Sequence, residues 1–147
     1  MKRQTKITVE AAINAPVEKV WKLWNNPVDI MQWNTADPSW HCPSSENDLR
    51  VDGTFKNRME AKDGSFGFDF EGTYHTVNLY REIAYTMADG RTVNTFFSET
   101  EGQTNVTTVF EAEQENDPEL QKSGWEAILN NFVNYVESAN SYFLTSR

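Results

Sequence analysis

The sequence predicts an α+β fold in which one antiparallel sheet is covered by a long C-terminal helix. Strand-like alternation recurs between residues 54 and 112, whereas the segment after Asp117 has helical periodicity. Runs of strands with segregated helices are typical of this fold class. Asp-Gly pairs at 63–64 and 89–90 predict tight hairpins, which join antiparallel strands. Because such a sheet needs an apolar cover on one face, we assign that role to the C-terminal helix.

The chain begins with a predicted strand and two short helices. Residues 5–13 alternate, so that their apolar side chains share one face of a strand. Pro16 then suits the first turn of a helix. Its apolar residues recur at helical spacing, at Val17, Val20, Trp21 and Trp24. Asn26-Pro27 predicts the start of a second short helix, with Asn26 as the expected N-cap.

A loop and a run of strands are predicted next. Residues 34–48 form the longest turn-rich stretch and are predicted to be a loop. Beyond it, a two-residue period predicts strands at 54–61, 66–77, 83–87, 92–99 and 104–112. Gly72 lies on the aromatic face of the second of these strands, and we expect it to mark a bend that wraps the sheet around the helix.

The last predicted element is a long amphipathic helix. Asp117 is its candidate N-cap, and Pro118 suits the first helical position. Apolar residues then recur every three or four positions from Glu119 to about Tyr142. A helix of about 20 residues is roughly 30 Å long, which is enough to span the sheet.

Length and charge limit the function classes. The 147 residues fit a single domain covering residues 1–147. Aromatic residues make up 13% of the chain, whereas hydrophobic residues reach only 38%, so apolar volume is concentrated in large rings. The formal net charge of −9 argues against binding of nucleic acid, because such a surface repels phosphate backbones.

The sequence also predicts a soluble, cytoplasmic protein. Cys42 is the single cysteine, which allows no internal disulfide and suits a reducing compartment. The N-terminal segment lacks the apolar stretch of a signal peptide. No uncharged run approaches the length of a transmembrane helix, so we expect no membrane insertion.

Four local motifs, taken in order, resemble one known family. They are Ala15-Pro16-Val17-Glu18-Lys19-Val20-Trp21, Asn26-Pro27 through Met31-Gln32-Trp33, the hairpin from Gly53 to Gly72, and Gly124-Trp125-Glu126. The resemblance covers residues 4–138 and is to the START/birch-pollen-allergen (SRPBCC) superfamily, particularly single-domain bacterial proteins related to activators of the heat-shock-protein-90 ATPase. It implies a helix-grip fold, with the sheet curved around the C-terminal helix and a cavity between them that often takes apolar molecules.

Aromatic residues of the predicted inward faces are the main candidate site. We predict that a small hydrophobic molecule, aromatic or lipid-like, is held in this cavity, whose lining would be Phe55, Asn57, Met59, Phe66, Phe68, Phe70, Tyr74, Phe110, Trp125, Leu129 and Phe132. Asn57 is the expected polar anchor, since it shares its face with Phe55 and Met59. The alternative is that the same rings fill a solid core at native density.

The segment at 33–42 is a second candidate, as an entrance to the cavity formed by Trp33, Trp40 and His41. Adjacent residues of an extended chain point in opposite directions, so His41 and Cys42 are not expected to form a catalytic pair. Zinc requires three or four ligands at matched spacing. We therefore predict no catalytic residues, no metal and no cofactor.

Three function classes stay open at this point. Members of the resembling superfamily include lipid carriers, polyketide cyclases and co-chaperones, so the fold alone does not select an activity. We favour a non-catalytic binding protein, with a co-chaperone-like interaction protein or a cyclase/dehydratase-like enzyme as the alternatives. Edge strands and the tryptophans near residue 40 would be protected in a homodimer, which is a further expectation.

Overall fold

The chain, described by a computed structural model over residues 5–145 and for side chains over residues 5–138, follows the predicted element order. Its elements are β1 Lys6–Ile13, α1 Val17–Asn25, α2 Pro27–Trp33, β2 Trp40–Asn47, β3 Thr54–Ala61, β4 Gly67–Asn78, β5 Glu82–Met87, β6 Thr92–Thr100, β7 Gln103–Glu111 and α3 Pro118–Thr145. Within the described residues, seven strands form one antiparallel half-barrel in the order β1-β7-β6-β5-β4-β3-β2. The predicted α+β helix-grip fold is confirmed.

The two short helices connect the opposite edges of the sheet. β1 pairs with β7, so that Ile7 lies opposite Phe110, whereas β2 pairs with β3 at the other edge. The chain therefore crosses from one edge to the other through α1 and α2, and α1 buries Val20 and Trp21 on the way. This crossing places both helices over one end of the half-barrel.

Asn26 occupies the expected N-cap position of α2, but its side chain does not cap the backbone there. Its Nδ2 donates instead to Asp29 Oδ2 at 2.9 Å. Asp29 is an acidic residue in the first turn of α2, where a negative charge is favourable. The amide of Asn26 therefore positions a side chain that stabilises the start of the helix.

The loop predicted at residues 34–48 is wrong for its second half, which forms the edge strand β2. Its pairing with β3 shifts in register between His41 and Ser44, on either side of Pro43. Proline has no N–H to donate and is accepted on edge strands and at bulges. Edge strands are also often short and polar, and these properties conceal the two-residue period in this segment.

Gly72 serves a close approach between a side chain and the backbone. It lies directly opposite Phe55 in the pairing of β3 with β4. A Cβ atom at Gly72 would lie 2.9 Å from Phe55 Cε1 and 2.9 Å from the carbonyl oxygen of Thr86. The ring of Phe55 therefore occupies the space that a side chain would need. The irregularity in the pairing of β4 with β5 lies slightly further along, between Tyr74 and Thr76.

Helix α3 begins as the sequence predicts. The N–H of Glu119 donates to Asp117 Oδ1 at 3.1 Å, and Pro118 is the first helical residue. The residues that this helix buries most completely are Leu129, Phe132 and Val136. The predicted end near Tyr142 falls where side chains lie outside the described residues. Of the helices the structure describes, none combines the length and the apolar character needed to cross a bilayer.

Two polar contacts hold α3 against the segment that contains α2. Tyr135 donates its hydroxyl hydrogen to Asp29 Oδ1 at 2.5 Å, and the side-chain amide of Asn131 donates to the carbonyl oxygen of Thr35. Burial, followed by the bond to Asp29, raises the pKa of Tyr135 to about 12. Both contacts link residues that are distant in sequence, so they fix the position of α3 over the end of the half-barrel.

We expect Gly72→Ala and Gly124→Ala to change stability in opposite directions. The new methyl group at Gly72 would collide with a ring and a carbonyl, which costs about 1–3 kcal/mol. At Gly124 in α3 a Cβ meets nothing within 4 Å, and replacing a helical glycine by alanine gains about 0.5–1 kcal/mol. Urea denaturation measures both changes. If Gly72→Ala left the free energy of unfolding unchanged, the close approach at Gly72 would be contradicted.

Tyr135→Phe should lower the free energy of unfolding at neutral pH by about 1 kcal/mol, because the lost bond is charge-assisted but partly screened by solvent. In the native protein this contribution is present below pH 10 and declines as the pH rises towards the raised pKa of about 12. Between pH 8 and 12, the unfolding temperature of Tyr135→Phe should therefore fall less steeply with pH than that of the native protein. An identical slope in both proteins would refute the assignment.

Candidate ligand-binding site

A cavity of about 470 Å³ lies between the sheet and α3. The two-residue period of β3 turns Phe55, Asn57 and Met59 towards it. The other strands contribute Val9, Asn47, Phe68, Phe70, Tyr74, Ile83, Tyr85, Thr95 and Thr108. Helix α3 and the residue before its N-cap contribute Asn116, Leu120, Gln121, Gly124, Trp125, Ile128 and Leu129. The cavity therefore occupies the interface at which the sheet and the long helix face each other.

Helices α1 and α2 close one side of the cavity with stacked rings. Trp24 and Trp33 stack with their ring centroids 5.1 Å apart, and the edge of Phe132 meets both rings at 4.9 and 4.7 Å. The indole N–H of Trp33 donates to the carbonyl oxygen of Leu23 at 3.0 Å. This hydrogen bond and the ring contacts fix the two tryptophans, so that part of the wall is rigid.

The cavity opens to solvent beside the β3–β4 hairpin and the start of α3. Phe68 and Leu120 both line the cavity, yet they are 42% and 64% exposed. Phe68 also belongs to an aromatic cluster with the exposed Phe66 and the half-buried Trp40, whose ring centroids are about 6 Å apart. The opening is therefore bordered by apolar side chains that are in contact with water.

Among the described residues, the cavity lining contains no aspartate, glutamate, lysine, arginine or histidine. Its polar groups are amides, hydroxyls, two phenols and the indole N–H groups of three tryptophans. The phenol of Tyr74 donates to Asn47 Oδ1, and Asn47 Nδ2 donates to the carbonyl oxygen of Asn25 at 2.7 Å. Burial raises the pKa of both Tyr74 and Tyr85 above the ordinary range. These phenols are therefore uncharged at neutral pH.

The remaining polar groups are small and mostly satisfied within the protein. The hydroxyls of Thr95 and Thr108 lie 2.9 Å apart across the pairing of β6 with β7. Ser45 donates its hydroxyl hydrogen to Asn57 Oδ1 at 2.6 Å. Every fully buried side-chain nitrogen or oxygen of the described residues has a hydrogen-bond partner. A free polar atom in the cavity wall is therefore in contact with open space.

The structure brings most of the predicted site residues together around the cavity. Those that line it are Trp33, Phe55, Asn57, Met59, Phe68, Phe70, Tyr74, Trp125 and Leu129. Phe110 and Phe132 lie behind the lining, where Phe110 stacks on Trp125 at 4.0 Å and Phe132 supports the tryptophan pair. Whether the lining residues bind a ligand stays a prediction.

Three predicted residues do not line the cavity: Phe66 and His41 lie on the exterior, and Trp40 is half-buried beside Phe66. Phe66 precedes β4 and is 61% exposed, where its ring contacts Trp40. His41 Nε2 lies 3.7 Å from Glu60 Oε1 on the surface. The charged side chains of Arg58 and Glu60 on β3 also lie on this outer face, where Arg58 Nε donates to Glu60 Oε2 at 2.9 Å.

Several lining residues are not among the predicted site residues. Tyr85 could have been found, because it alternates with Ile83 and Met87 along β5. Asn47 belongs to the strand that was predicted to be a loop. Thr95 and Thr108 are the hardest lining residues to find from the sequence, since threonine on a strand is common on either face of a sheet. The described residues contain no cluster of side chains able to hold a metal ion.

Comparison with known proteins identifies the family of this chain. A family model described as "Activator of Hsp90 ATPase homolog 1-like protein" matches residues 14–137. The chain belongs to this family. Comparison with curated proteins gave no match.

Solved structures resemble this member of the activator-homolog-1-like family over nearly its whole length. The solution structure of an AHSA1-like protein from Aeromonas hydrophila has a TM-score of 0.87 and 44% sequence identity, covering 92% of this chain and 94% of that one. A protein of Cytophaga hutchinsonii, Chr148, gives 0.80 and 49% with the same coverage. A protein of Nitrosomonas europaea, at 17% identity and a TM-score of 0.79 over 93% of this chain and 97% of that one, shares the fold.

We expect the threonine pair to behave differently when one or both hydroxyls are removed. Thr95→Val or Thr108→Val alone leaves a buried hydroxyl without its partner, which costs about 1–3 kcal/mol. The double variant removes both groups and should be close to the native free energy of unfolding. Urea denaturation of the three variants tests this. If the losses of unfolding free energy in the two single variants simply added in the double variant, the two hydroxyls would not depend on each other and the prediction would be wrong.

Proposed function

We propose that the protein binds one small hydrophobic molecule in the cavity between the sheet and α3. The observation that carries this proposal is a cavity of about 470 Å³ with an uncharged, largely apolar lining at the position where the core should lie. Protein interiors are normally packed without large voids. Ligand pockets typically measure about 300–1,000 Å³ and combine apolar walls with a few polar groups. The lining fits that description.

The chemistry of the lining favours binding over acid–base catalysis. A general acid or base works best when its pKa lies near the working pH. The titratable groups among the described lining residues are Tyr74 and Tyr85, and burial moves the pKa of each away from neutrality. Cys42 lies outside the cavity lining, and burial raises the pKa of its thiol as well. We therefore propose a non-catalytic role.

We also propose a location in the cytoplasm. The single cysteine, Cys42, is buried and has no second cysteine with which to form a disulfide, which suits a reducing compartment. A homodimer stays a prediction. The exposed rings of Phe66 and Phe68, beside the half-buried Trp40, are the surface that such a dimer would cover.

Binding is tested by titrating the protein with Nile red, an uncharged hydrophobic dye, and by thermal unfolding. We expect saturable binding of one dye molecule. Any ligand specific for the folded state stabilises it by about 2.7 kcal/mol at a free concentration 100 times its Kd. Fluorescence that rises without saturation, together with an unchanged unfolding temperature, would overturn the proposal.

Two substitutions on α3 show whether the dye occupies this cavity. Ile128 lines the cavity and is half-buried, whereas Glu126 is exposed on the same helix. Ile128→Phe adds bulk to the cavity with little change in helix propensity, and we expect it to weaken dye binding at least tenfold. Glu126→Phe is the matched control and should bind normally. Equal affinities in both variants would place the dye elsewhere.

A further inference from the structure

Among the described side chains of the cavity wall, the phenol of Tyr85 and the amide nitrogen of Asn57 are donors that have no protein partner. Asn57 lines the cavity and accepts a bond from Ser45 through Oδ1, whereas its Nδ2 has no partner among the described residues. The hydroxyl of Tyr85 has no hydrogen bond to any described residue. Since every fully buried polar side-chain atom of that part of the chain is satisfied, both donors touch open space.

The two tyrosines of the cavity differ in this respect. The phenol of Tyr74 is engaged by Asn47, whereas that of Tyr85 is free to donate to a bound molecule. The ring of Tyr85 is held by the ring of Phe55, whose centroid lies 4.7 Å away at an interplanar angle of 77°. Phe70 and Tyr74 contact it edge-on at 6.4 and 6.2 Å. The ring contacts therefore restrict the position of the hydroxyl oxygen before a ligand arrives.

The lack of charged side chains in the described lining restricts which ligand groups can accept a hydrogen bond from these donors. A carboxylate transferred into this cavity would lose its hydration, and the described lining offers no lysine, arginine or histidine to compensate it. Arg91, whose charge reaches Tyr85, lies outside the lining and is paired with Asp89. Burying an unpaired charge is far more costly than burying a hydrogen-bonded neutral group. A carbonyl or ether oxygen can accept from Tyr85 or Asn57 without that cost.

We propose that Tyr85, assisted by Asn57, selects uncharged ligands that carry an acceptor oxygen and that the cavity discriminates against carboxylates. This inference rests on the proposed binding function and specifies the chemical class of the ligand. Tyr85 is the selecting donor, and the surrounding rings supply the apolar contact that any ligand of suitable size would share.

Three naphthalenes of nearly equal shape test this selection. They are 2-acetylnaphthalene, its hydrocarbon analogue 2-isopropenylnaphthalene, and 2-naphthoate, each measured by displacement of Nile red from the full-length protein at pH 7.5. We expect the ketone to bind about tenfold more tightly than the hydrocarbon, the scale of one net hydrogen bond. The carboxylate should bind more weakly than the hydrocarbon.

The Tyr85→Phe variant assigns the effect to the hydroxyl. Its affinity for the ketone should fall to that of the hydrocarbon, whose own affinity should not change. Tyr80→Phe, at an exposed tyrosine outside the cavity lining, is the control and should retain the preference. The carbonyl stretching frequency of the bound ketone gives a second readout, since a donated hydrogen bond lowers it in the native protein and not in Tyr85→Phe.

The outcomes separate the two proposals. If the hydrocarbon or the carboxylate equals the ketone, or if Tyr85→Phe keeps the preference, the role of Tyr85 is overturned while hydrophobic binding stands. Binding of Nile red with no displacement by any naphthalene also overturns the selection alone. If neither the dye nor any naphthalene binds, the proposed function fails and the selection fails with it.

Discussion

The asymmetric packing of α3 in the curved sheet is the constraint on which the rest of the structure depends. Among the strands, β1 is the main neighbour of this helix, and β1 forms one edge of the half-barrel. The sheet then curves away through β5, β4 and β3, so that α3 covers these strands without filling the space above them. The helix thus completes the hydrophobic core at one side and leaves the cavity at the other. Tyr135 and its bond to Asp29 hold the helix in this position.

A cavity of this kind has to be supported, because removing packed atoms from a core is costly and the surroundings tend to relax into the void. The walls resist collapse through contacts between rings. Phe55 occupies the space above Gly72 and braces Tyr85, while Trp125 lies flat on Phe110. This arrangement explains why apolar volume in this chain is concentrated in aromatic residues: rings are large and rigid, so few of them can line a space and support one another.

The fold could be predicted from local patterns because each of them has a direct physical cause. Alternation identified β1 and the strands from β3 onward, and Asp117-Pro118 identified the start of α3. Strand β2 could not be found in this way, since Pro43 and the polar residues around it suit an edge strand and a loop equally well. The cavity was harder still. Phe55, Phe70 and Trp125 have the same pattern whether they fill a core or line a void, and only the position of α3 decides between the two.

Charge is distributed so that the exterior and the cavity act on a ligand in the same direction. The chain carries a formal net charge of −9, and the described ion pairs, such as Arg58 with Glu60, lie at the surface. A net negative surface disfavours the approach of anions at long range, and the described lining itself contains no cationic side chain. Selection inside the cavity is then left to shape and to hydrogen bonds. Because Tyr74 is already bonded within the protein, the phenol of Tyr85 is the group that we propose to distinguish one apolar molecule from another.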